Sequence, residues 1–191
     1  MISFKKKYFL IIETIKDLNL SNIKKHDKFE IIYRTLNKSD KINELLRFRK
    51  TCKLKKINFF VANDIKLAIK LNSDGVYISA SNRSLNYLNL KKNNLKVIGS
   101  AHNSTEIYEK IKQGCTTIFL SRLFKVSYKN EKDFLGVNKF NNYSLKFPKK
   151  LVPLGGINID NLNKIKNVKC NGFAILTELK KKPVKIINRL F

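Results

Sequence analysis

The 191-residue sequence is poor in cysteine and contains no long apolar segment. Its three cysteines, Cys52, Cys115 and Cys170, are odd in number, far apart and form no CxxC pair, which excludes a disulfide framework and a cysteine-based zinc site. We therefore expect buried, reduced thiols. No apolar run reaches the ~20 residues that a membrane-spanning helix needs. The basic N-terminus leads into a short apolar stretch and Glu13 without a small-residue cleavage site, so we expect a first strand and a cytoplasmic protein.

Acidic residues are also scarce, because 14 Asp and Glu stand against 40 Lys and Arg, which gives a formal net charge of +26. Such a charge is typical of proteins that bind nucleic acid or another polyanion. However, 34 of the 40 cations are lysines spread along the whole chain among many Asn and Ile residues, whereas base and phosphate recognition relies on arginine. This pattern favours a general drift toward residues with A/T-rich codons and leaves polyanion binding as the weaker alternative.

Hydrophobic residues make up 43% of the sequence, which is enough for a real core, and the length predicts a single domain over residues 1–191. Short β-rich apolar runs alternate with polar segments of helical period, which predicts an α/β fold with a parallel sheet. The predicted strands are residues 8–12, 29–33, 57–61, 75–79, 96–100, 116–120, 151–155 and 171–176. The predicted helices are residues 64–71, 104–114 with Ser104 as N-cap, 158–167 and 183–191.

Eight strands separated by helical segments indicate a single TIM-type (β/α)₈ barrel, and this is the fold that we predict. The chain is slightly short for that fold, with a compressed first crossover at 16–28. Residues 127–150 form a long Lys/Asn-rich connection with weak helical signal, which is typical of a functional or mobile loop. The alternative is a doubly wound open sheet, but no GxGxxG or GxxxxGK motif follows any predicted strand.

The carboxyl ends of the strands are where such a barrel carries its active site. Arg34 closes an apolar strand, a position where an arginine has few structural reasons to be, and Ser100 and His102 end the fifth strand. Gly155 and Gly156 end the seventh strand. Because glycine lets backbone N–H groups approach an anion closely, this pair predicts a phosphate-binding turn.

Three longer segments carry a resemblance to a known family. They read FFVANDIKLAIKLNSDGVYIS (59–79), VIGSAHNSTEIYEKIKQGCTTIFLS (97–121) and VPLGGINIDNLNKIKNVKCNGFAIL (152–176). The order of motifs resembles the thiamine phosphate synthase/TenI family, which has an ND pair ahead of DGVHLGQ, an SAH motif ahead of GADY, and IGGI ahead of a GADGVAVIS strand. With IIYRTLNK, which resembles the family's Q-x-R-x-K strand, the likeness covers roughly residues 8–178.

This resemblance implies a (β/α)₈ barrel that acts in thiamine biosynthesis. Synthase members join a pyrimidine diphosphate to a thiazole phosphate, while Mg²⁺ and basic residues stabilise the departing diphosphate. The expected partners are therefore small phosphorylated pyrimidine and thiazole substrates, with no membrane or nucleic acid, and the oligomeric state stays open. The site residues that the resemblance implies are Arg34 and Lys38 for the diphosphate, Ser100 for the pyrimidine, Lys129 in the loop after strand six, and Gly155, Gly156, Leu176 and Thr177 for the thiazole phosphate.

The sequence departs from the family pattern at the metal site. Aligned without a gap, the family's Mg²⁺ carboxylates fall on Asn63 and Asn82, and only a one-residue shift brings Asp64 into place. Asp64 fits a helix N-cap equally well. Because Mg²⁺ prefers carboxylate oxygens, the two amides should weaken the site. Arg122 and Lys125 are fixed cations that would replace part of the metal's charge.

The segment after strand six differs as well. Residues 121–126, SRLFKV, replace the family's GP-x-x-PT motif, and Arg122 stands where TenI-type members, which aromatise the thiazole, carry a histidine. The sequence therefore favours a synthase-like transferase over the TenI activity. The alternative is a family member that binds a thiazole phosphate or another phosphate ester without turnover, as a carrier or regulator.

Overall fold

The structure, a computed structural model, is a closed barrel of eight parallel strands in which each strand pairs with the next along the chain. It describes residues 7–23, 26–35, 40–126, 134–147, 150–176, 179, 181 and 183–189. The strands are β1 (Lys7–Ile12), β2 (Phe29–Tyr33), β3 (Asn58–Ala62), β4 (Gly75–Ile78), β5 (Lys96–Ala101), β6 (Thr117–Ser121), β7 (Lys150–Leu154) and β8 (Gly172–Ile175). The predicted TIM-type barrel is confirmed, with every strand close to its predicted bounds.

Strand β1 closes the barrel by pairing with β2 on one side and β8 on the other. Tyr8 lies opposite Phe29 in one pair and opposite Phe173 in the other, both in parallel register. A strand that is paired on both sides with the first and last neighbours leaves no open edge, so the doubly wound open sheet is wrong.

Alternate residues of β1 explain why the strands read as unbroken apolar runs. Phe9 and Ile11 point into the barrel, whereas Leu10 and Ile12 point outward against the helices, because successive side chains of a strand face opposite sides. Both faces are therefore buried, as expected for a parallel sheet covered by helices. The inner layer is completed by Ile32, Phe60, Tyr77, Ile98, Phe119, Val152 and Ala174.

Helices cover the outside of the barrel. They are α1 (Ile42–Leu54), α2 (Ile65–Lys70), α3 (Ser104–Lys112), α4 (Gly136–Lys146) and α5 (Pro183–Arg189), with longer 3₁₀ segments at Leu88–Asn93 and Ile159–Asn167. Helix α1 was not among the predicted helices, and two of the predicted ones differ in detail. The predicted helix 158–167 is a 3₁₀ segment, and α3 is capped by Asn103, whose side chain accepts a bond from the Glu106 amide at 3.0 Å, and not by Ser104.

Helix α4 occupies a stretch in which the sequence gives only a weak helical signal. Its asparagines have low helix propensity, which hides the pattern, yet Phe140 is fully buried and anchors the helix to the core. The interpretation of 127–150 as a long loop with weak helical signal is therefore wrong for residues 136–146, which form α4, while residues 127–133 and 148–149 lie outside the described part of the chain.

The first crossover is compressed, as predicted. Between β1 and β2 the described residues form three short 3₁₀ turns, Ile15–Asp17, Leu20–Asn22 and His26–Lys28. The Thr14 and Asn19 side chains cap the first two turns. Short capped turns satisfy the hydrogen-bonding groups of the backbone with few residues. A short connection can therefore join β1 to β2.

The cysteines lie in the packed part of the fold. Cys52 and Cys115 are buried, Cys170 is partly buried, and no disulfide joins these three described residues. Burial raises the pKa of the Cys52 thiol to about 12, which keeps it protonated. Within the described residues, no helix is both long and apolar enough to cross a membrane.

Candidate functional site

A cleft of about 620 Å³ opens at the carboxyl ends of β2, β6, β7 and β8, and we call it the cationic cleft. Its wall carries four cations, Arg34, Arg122, Lys125 and Lys181. No Asp or Glu is among the described residues that line it. Because converging cations raise the local positive potential, the cleft is suited to an anionic ligand.

Arg34 follows β2 directly and extends its ladder, since its amide donates to the Ile12 carbonyl at 2.8 Å. Its Nη2 lies 3.8 Å from Glu13 Oε1, which is a loose ion pair. The Nε atom is buried and has no hydrogen-bond acceptor among the described residues. Arg34 lines the cleft and its side chain is 32% exposed, so its guanidinium is accessible to an anion there.

Ser100 lies on β5, is buried, and does not line the cleft. Its side chain is hydrogen-bonded to the hydroxyl of Tyr77, which also contacts Arg34. Burial raises the pKa of Tyr77, so its hydroxyl stays protonated. Ser100 is therefore linked through Tyr77 to the guanidinium of Arg34, and its predicted role at the pyrimidine stays a prediction.

The Gly155–Gly156 turn shapes the opposite wall of the cleft. The two residues have φ values of +91° and +71°, and a Cβ on Gly156 would lie 2.3 Å from the Phe124 carbonyl oxygen. Only glycine fits such an approach. The Phe124 amide donates to the Gly155 carbonyl at 3.1 Å, which fixes the segment carrying Arg122 and Lys125 beside this turn.

The backbone amides of this turn are suited to binding a phosphate. The carbonyl of Gly156 accepts a bond from Asn161 at 2.7 Å, whereas neither glycine amide donates a bond to any residue that the structure describes. Backbone N–H groups of this kind are the usual cradle of a phosphate. Leu176 lines the same cleft. Lys38, Lys129 and Thr177 lie outside the described residues.

His102 also lines the cleft, and it is held by Glu106. The Glu106 carboxylate accepts the His102 backbone amide at 2.7 Å and lies 2.9 Å from its Nδ1. This contact fixes the loop after β5 and orients the imidazole. The sequence interpretation overlooked Glu106, although its position four residues after His102 is a visible signal.

The ends of β3 and β4 are joined by a set of polar side chains that we call the amide network, made of Asn63, Ser79, Asn82 and Tyr87. Asn63 Oδ1 accepts bonds from the Ser79 amide at 3.0 Å and from Asn82 Nδ2 at 3.2 Å. Asn63 Nδ2 in turn donates to Ser79 Oγ at 3.0 Å, and Asn82 Nδ2 donates to the Tyr87 hydroxyl at 2.9 Å. The network does not line the cationic cleft.

Three residues at the predicted metal site do not fit Mg²⁺. Asp64 Oδ1 accepts the Leu67 amide at 2.8 Å and caps α2, while the Asn63 amide oxygen is already engaged in the network. The described residues contain no group of three or more His, Cys, Asp or Glu side chains that could hold a metal ion. Proteins usually hold Mg²⁺ through one or two carboxylates, with waters and substrate phosphates completing its shell; here the Asp64 carboxylate caps a helix through Oδ1 and the other two positions carry neutral amides.

A buried lysine that the sequence interpretation missed supports the loop after β4. Lys110 of α3 is fully buried, and its ammonium donates to the Asn82 carbonyl at 2.7 Å and to Gln113 Oε1 at 2.8 Å. Desolvation lowers the pKa of Lys110. Its position three residues after Ile107, on the apolar face of α3, could have indicated that Lys110 is buried. In a chain with so many lysines, however, the sequence alone does not distinguish this one from the exposed ones.

Comparisons with known proteins agree with this architecture. The family model described as thiamine monophosphate synthase matches residues 23–179. The chain is 27% identical to a thiamine-phosphate synthase of Prochlorococcus marinus subsp. pastoris over 88% of its own length and 48% of that relative. It is 26% identical to a thiamine-phosphate synthase of Pelagibacter ubique, with 96% and 94% covered. The chain thus spans about half the length of the Prochlorococcus relatives and nearly all of the Pelagibacter one.

A solved structure shows the same fold. Thiamine phosphate pyrophosphorylase from Pyrococcus furiosus superposes with a TM-score of 0.72 at 18% sequence identity, covering 96% of this chain and 98% of that one. At this sequence identity the structural similarity supports the barrel fold and nothing more specific. The family match covers most of the chain, from before β2 to the end of β8. The chain therefore belongs to the thiamine monophosphate synthase family.

Proposed function

We propose that this protein is a thiamine phosphate synthase, a cytoplasmic transferase that joins hydroxymethylpyrimidine diphosphate to a thiazole phosphate. The C–O bond between the pyrimidine methylene and the diphosphate breaks, and its electron pair leaves with the diphosphate. The thiazole nitrogen then donates its lone pair to the methylene carbon, which forms the C–N bond of thiamine phosphate. Atoms and charge balance without an oxidant or reductant.

The observation that carries this proposal is the cationic cleft itself. Arg34, Arg122 and Lys125 reach it from the ends of β2 and β6, and the glycine turn after β7 faces them. Two phosphorylated substrates need two anion sites in one cleft, and this cleft offers cations on one wall and backbone amides on the other.

The roles follow from this division. Arg34 and Arg122 bind the diphosphate through guanidinium groups, which match phosphate oxygens in bidentate fashion, and Lys125 adds a point charge. The amides of Gly155 and Gly156, with Leu176 beside them, hold the thiazole phosphate. Lys38, Lys129 and Thr177 are proposed to complete the two anion sites, and Ser100 acts on the pyrimidine side through Tyr77.

The amide network favours a second candidate function, which is binding of a thiazole phosphate or a similar phosphate ester without turnover. The residues at the expected metal positions do not fit Mg²⁺, and a synthase without its metal loses one source of leaving-group stabilisation. Under this candidate function the cleft and its glycine turn keep their ligand, while the bond-forming step does not occur.

The test is incubation of the protein with both phosphorylated precursors, with detection of thiamine phosphate by chromatography beside an active homologue. The matched variants are Arg34→Ala in the cleft and Arg83→Ala, since Arg83 is exposed, pairs with Glu109 at 3.6 Å and lies outside the cleft. Loss of ~1.5–3 kcal/mol of charge-assisted bonding predicts a ~10–100-fold fall in kcat/KM for Arg34→Ala alone.

Three outcomes separate the candidates. Product formation that depends on Arg34 supports the synthase. Binding of the thiazole phosphate by calorimetry without any product supports the second candidate. Absence of both product and binding contradicts the placement of the site in the cationic cleft.

A further inference from the structure

We propose that this protein binds its diphosphate group through its own cations, without a divalent metal ion. The inference rests on the proposed function only for the identity of the ligand as a diphosphate. It follows from two regions of the barrel mouth, namely the amide network, which is closed to a cation, and the cationic cleft, which supplies charge in its place.

The amide network is closed because its polar atoms already have partners. Asn63 Oδ1 accepts from the Ser79 amide, the Ser79 hydroxyl and Asn82 Nδ2, at distances between 3.0 and 3.3 Å. Asn82 Oδ1 accepts from the Ser84 amide at 3.0 Å. A metal ion could bind here only by displacing these bonds, and a neutral amide oxygen attracts it far less than a carboxylate does.

A buried lysine of α3 contacts the same loop. The Lys110 ammonium is 2.7 Å from the carbonyl oxygen of Asn82, and Gln113 donates to the same oxygen at 2.9 Å. The carbonyl of Asn82 is therefore engaged by two donors.

The cationic cleft supplies the charge that a metal would bring. Arg34, Arg122, Lys125 and Lys181 line it without an acidic neighbour among the described lining residues. The Arg34 side chain is 32% exposed and lines the cleft, so its guanidinium is accessible to a phosphate oxygen. Guanidinium groups bind phosphate oxygens directly, through charge-assisted and often bidentate hydrogen bonds.

The direct test is isothermal titration calorimetry with inorganic pyrophosphate, in buffer with EDTA and in buffer with Mg²⁺. We expect binding in EDTA, with a Kd in Mg²⁺ that is equal or weaker, because Mg²⁺ sequesters pyrophosphate in solution. Binding that is tenfold or more tighter in Mg²⁺, or that is absent in EDTA, would overturn the proposal.

Variants in EDTA identify the cations responsible. Arg122→Ala and Lys125→Ala should each weaken pyrophosphate binding at least fivefold, whereas Arg83→Ala should leave the affinity within twofold of wild type. Because Lys125 is exposed, its variant should fold even if Arg122→Ala does not. Equal affinity for Lys125→Ala and Arg83→Ala would overturn the assignment. Failure of the proposed function appears separately, as metal-independent pyrophosphate binding without thiamine phosphate formation.

Discussion

The two halves of the barrel mouth handle charge in opposite ways. At the ends of β2, β6, β7 and β8 four cations line an open cleft, and a glycine turn faces them with its backbone. At the ends of β3 and β4 neutral amides and hydroxyls bond to one another. One half of the mouth is therefore suited to an anionic ligand, whereas the polar side chains of the other half are hydrogen-bonded to one another.

The strongest test of this comparison is to turn the amide network into a carboxylate site. In the Asn63→Asp/Asn82→Asp double variant, two carboxylates replace side chains that are 3.2 Å apart. Their repulsion near the surface costs about 4 kcal/mol in EDTA. Added Mg²⁺ should recover part of this loss in the variant and leave the wild type unchanged, as measured by chemical unfolding. A wild-type response to Mg²⁺ would contradict the comparison.

The glycine turn gives the next largest effect. Gly156→Ala places a Cβ against the Phe124 carbonyl at φ +71°, which adds a steric clash to the ~1–2 kcal/mol cost of that backbone region. Gly136→Ala is the matched control, because φ is +68° but nothing lies within 4 Å of its Cβ. We expect a larger fall in Tm, and loss of thiazole phosphate binding, only in Gly156→Ala. Similar effects in both variants would show that the close approach is unimportant.

Asp64 distinguishes a helix cap from a metal ligand. Asp64→Ala removes the bond to the Leu67 amide and should cost about 1 kcal/mol of unfolding free energy, the usual value of an N-cap. The loss should be the same in EDTA and in Mg²⁺. A loss seen only in the presence of Mg²⁺ would make Asp64 a ligand after all.

The smallest effect concerns the protonation of Lys110. Its pKa in the folded state is below the ordinary value of 10.5, so between these two values the unfolded chain binds more protons and stability rises with pH. Wild type should therefore gain unfolding free energy relative to Lys110→Met as pH approaches 10.5. Lys112→Met, on the exposed side of α3, should show no such trend in urea unfolding.

Much of the fold was visible in the sequence, because β-rich runs and their spacing depend on local patterns. Strand β2, for example, was predicted at its observed bounds, Phe29–Tyr33. Helix α4 was not predicted, because its asparagines weaken the local signal and its stability comes from tertiary burial of Phe140. The cap of α3 shifted from Ser104 to Asn103 because two adjacent residues can both cap, and only the backbone decides.

The site was visible only in part. Arg34, Arg122 and the glycine pair lie in one cleft as predicted from their positions at strand ends. The buried state of Lys110 and the closure of the amide network depend on contacts between α3 and the loop after β4, which no local pattern reveals. Whether the excess of lysine elsewhere binds polyanions stays a prediction, to be tested by the salt dependence of nucleic-acid affinity.

In this chain the cations that are suited to an anion line the cationic cleft, whereas the residues at the expected metal positions belong to the amide network and bind no metal ion. A crystal structure of the protein grown with inorganic pyrophosphate and Mn²⁺, with anomalous data collected at the manganese edge, tests it directly. We expect pyrophosphate between Arg34 and Arg122 and no anomalous peak beside Asn63 or Asn82. A manganese peak coordinated by either asparagine, or by Asp64, with pyrophosphate bound to it would show that the metal site is intact.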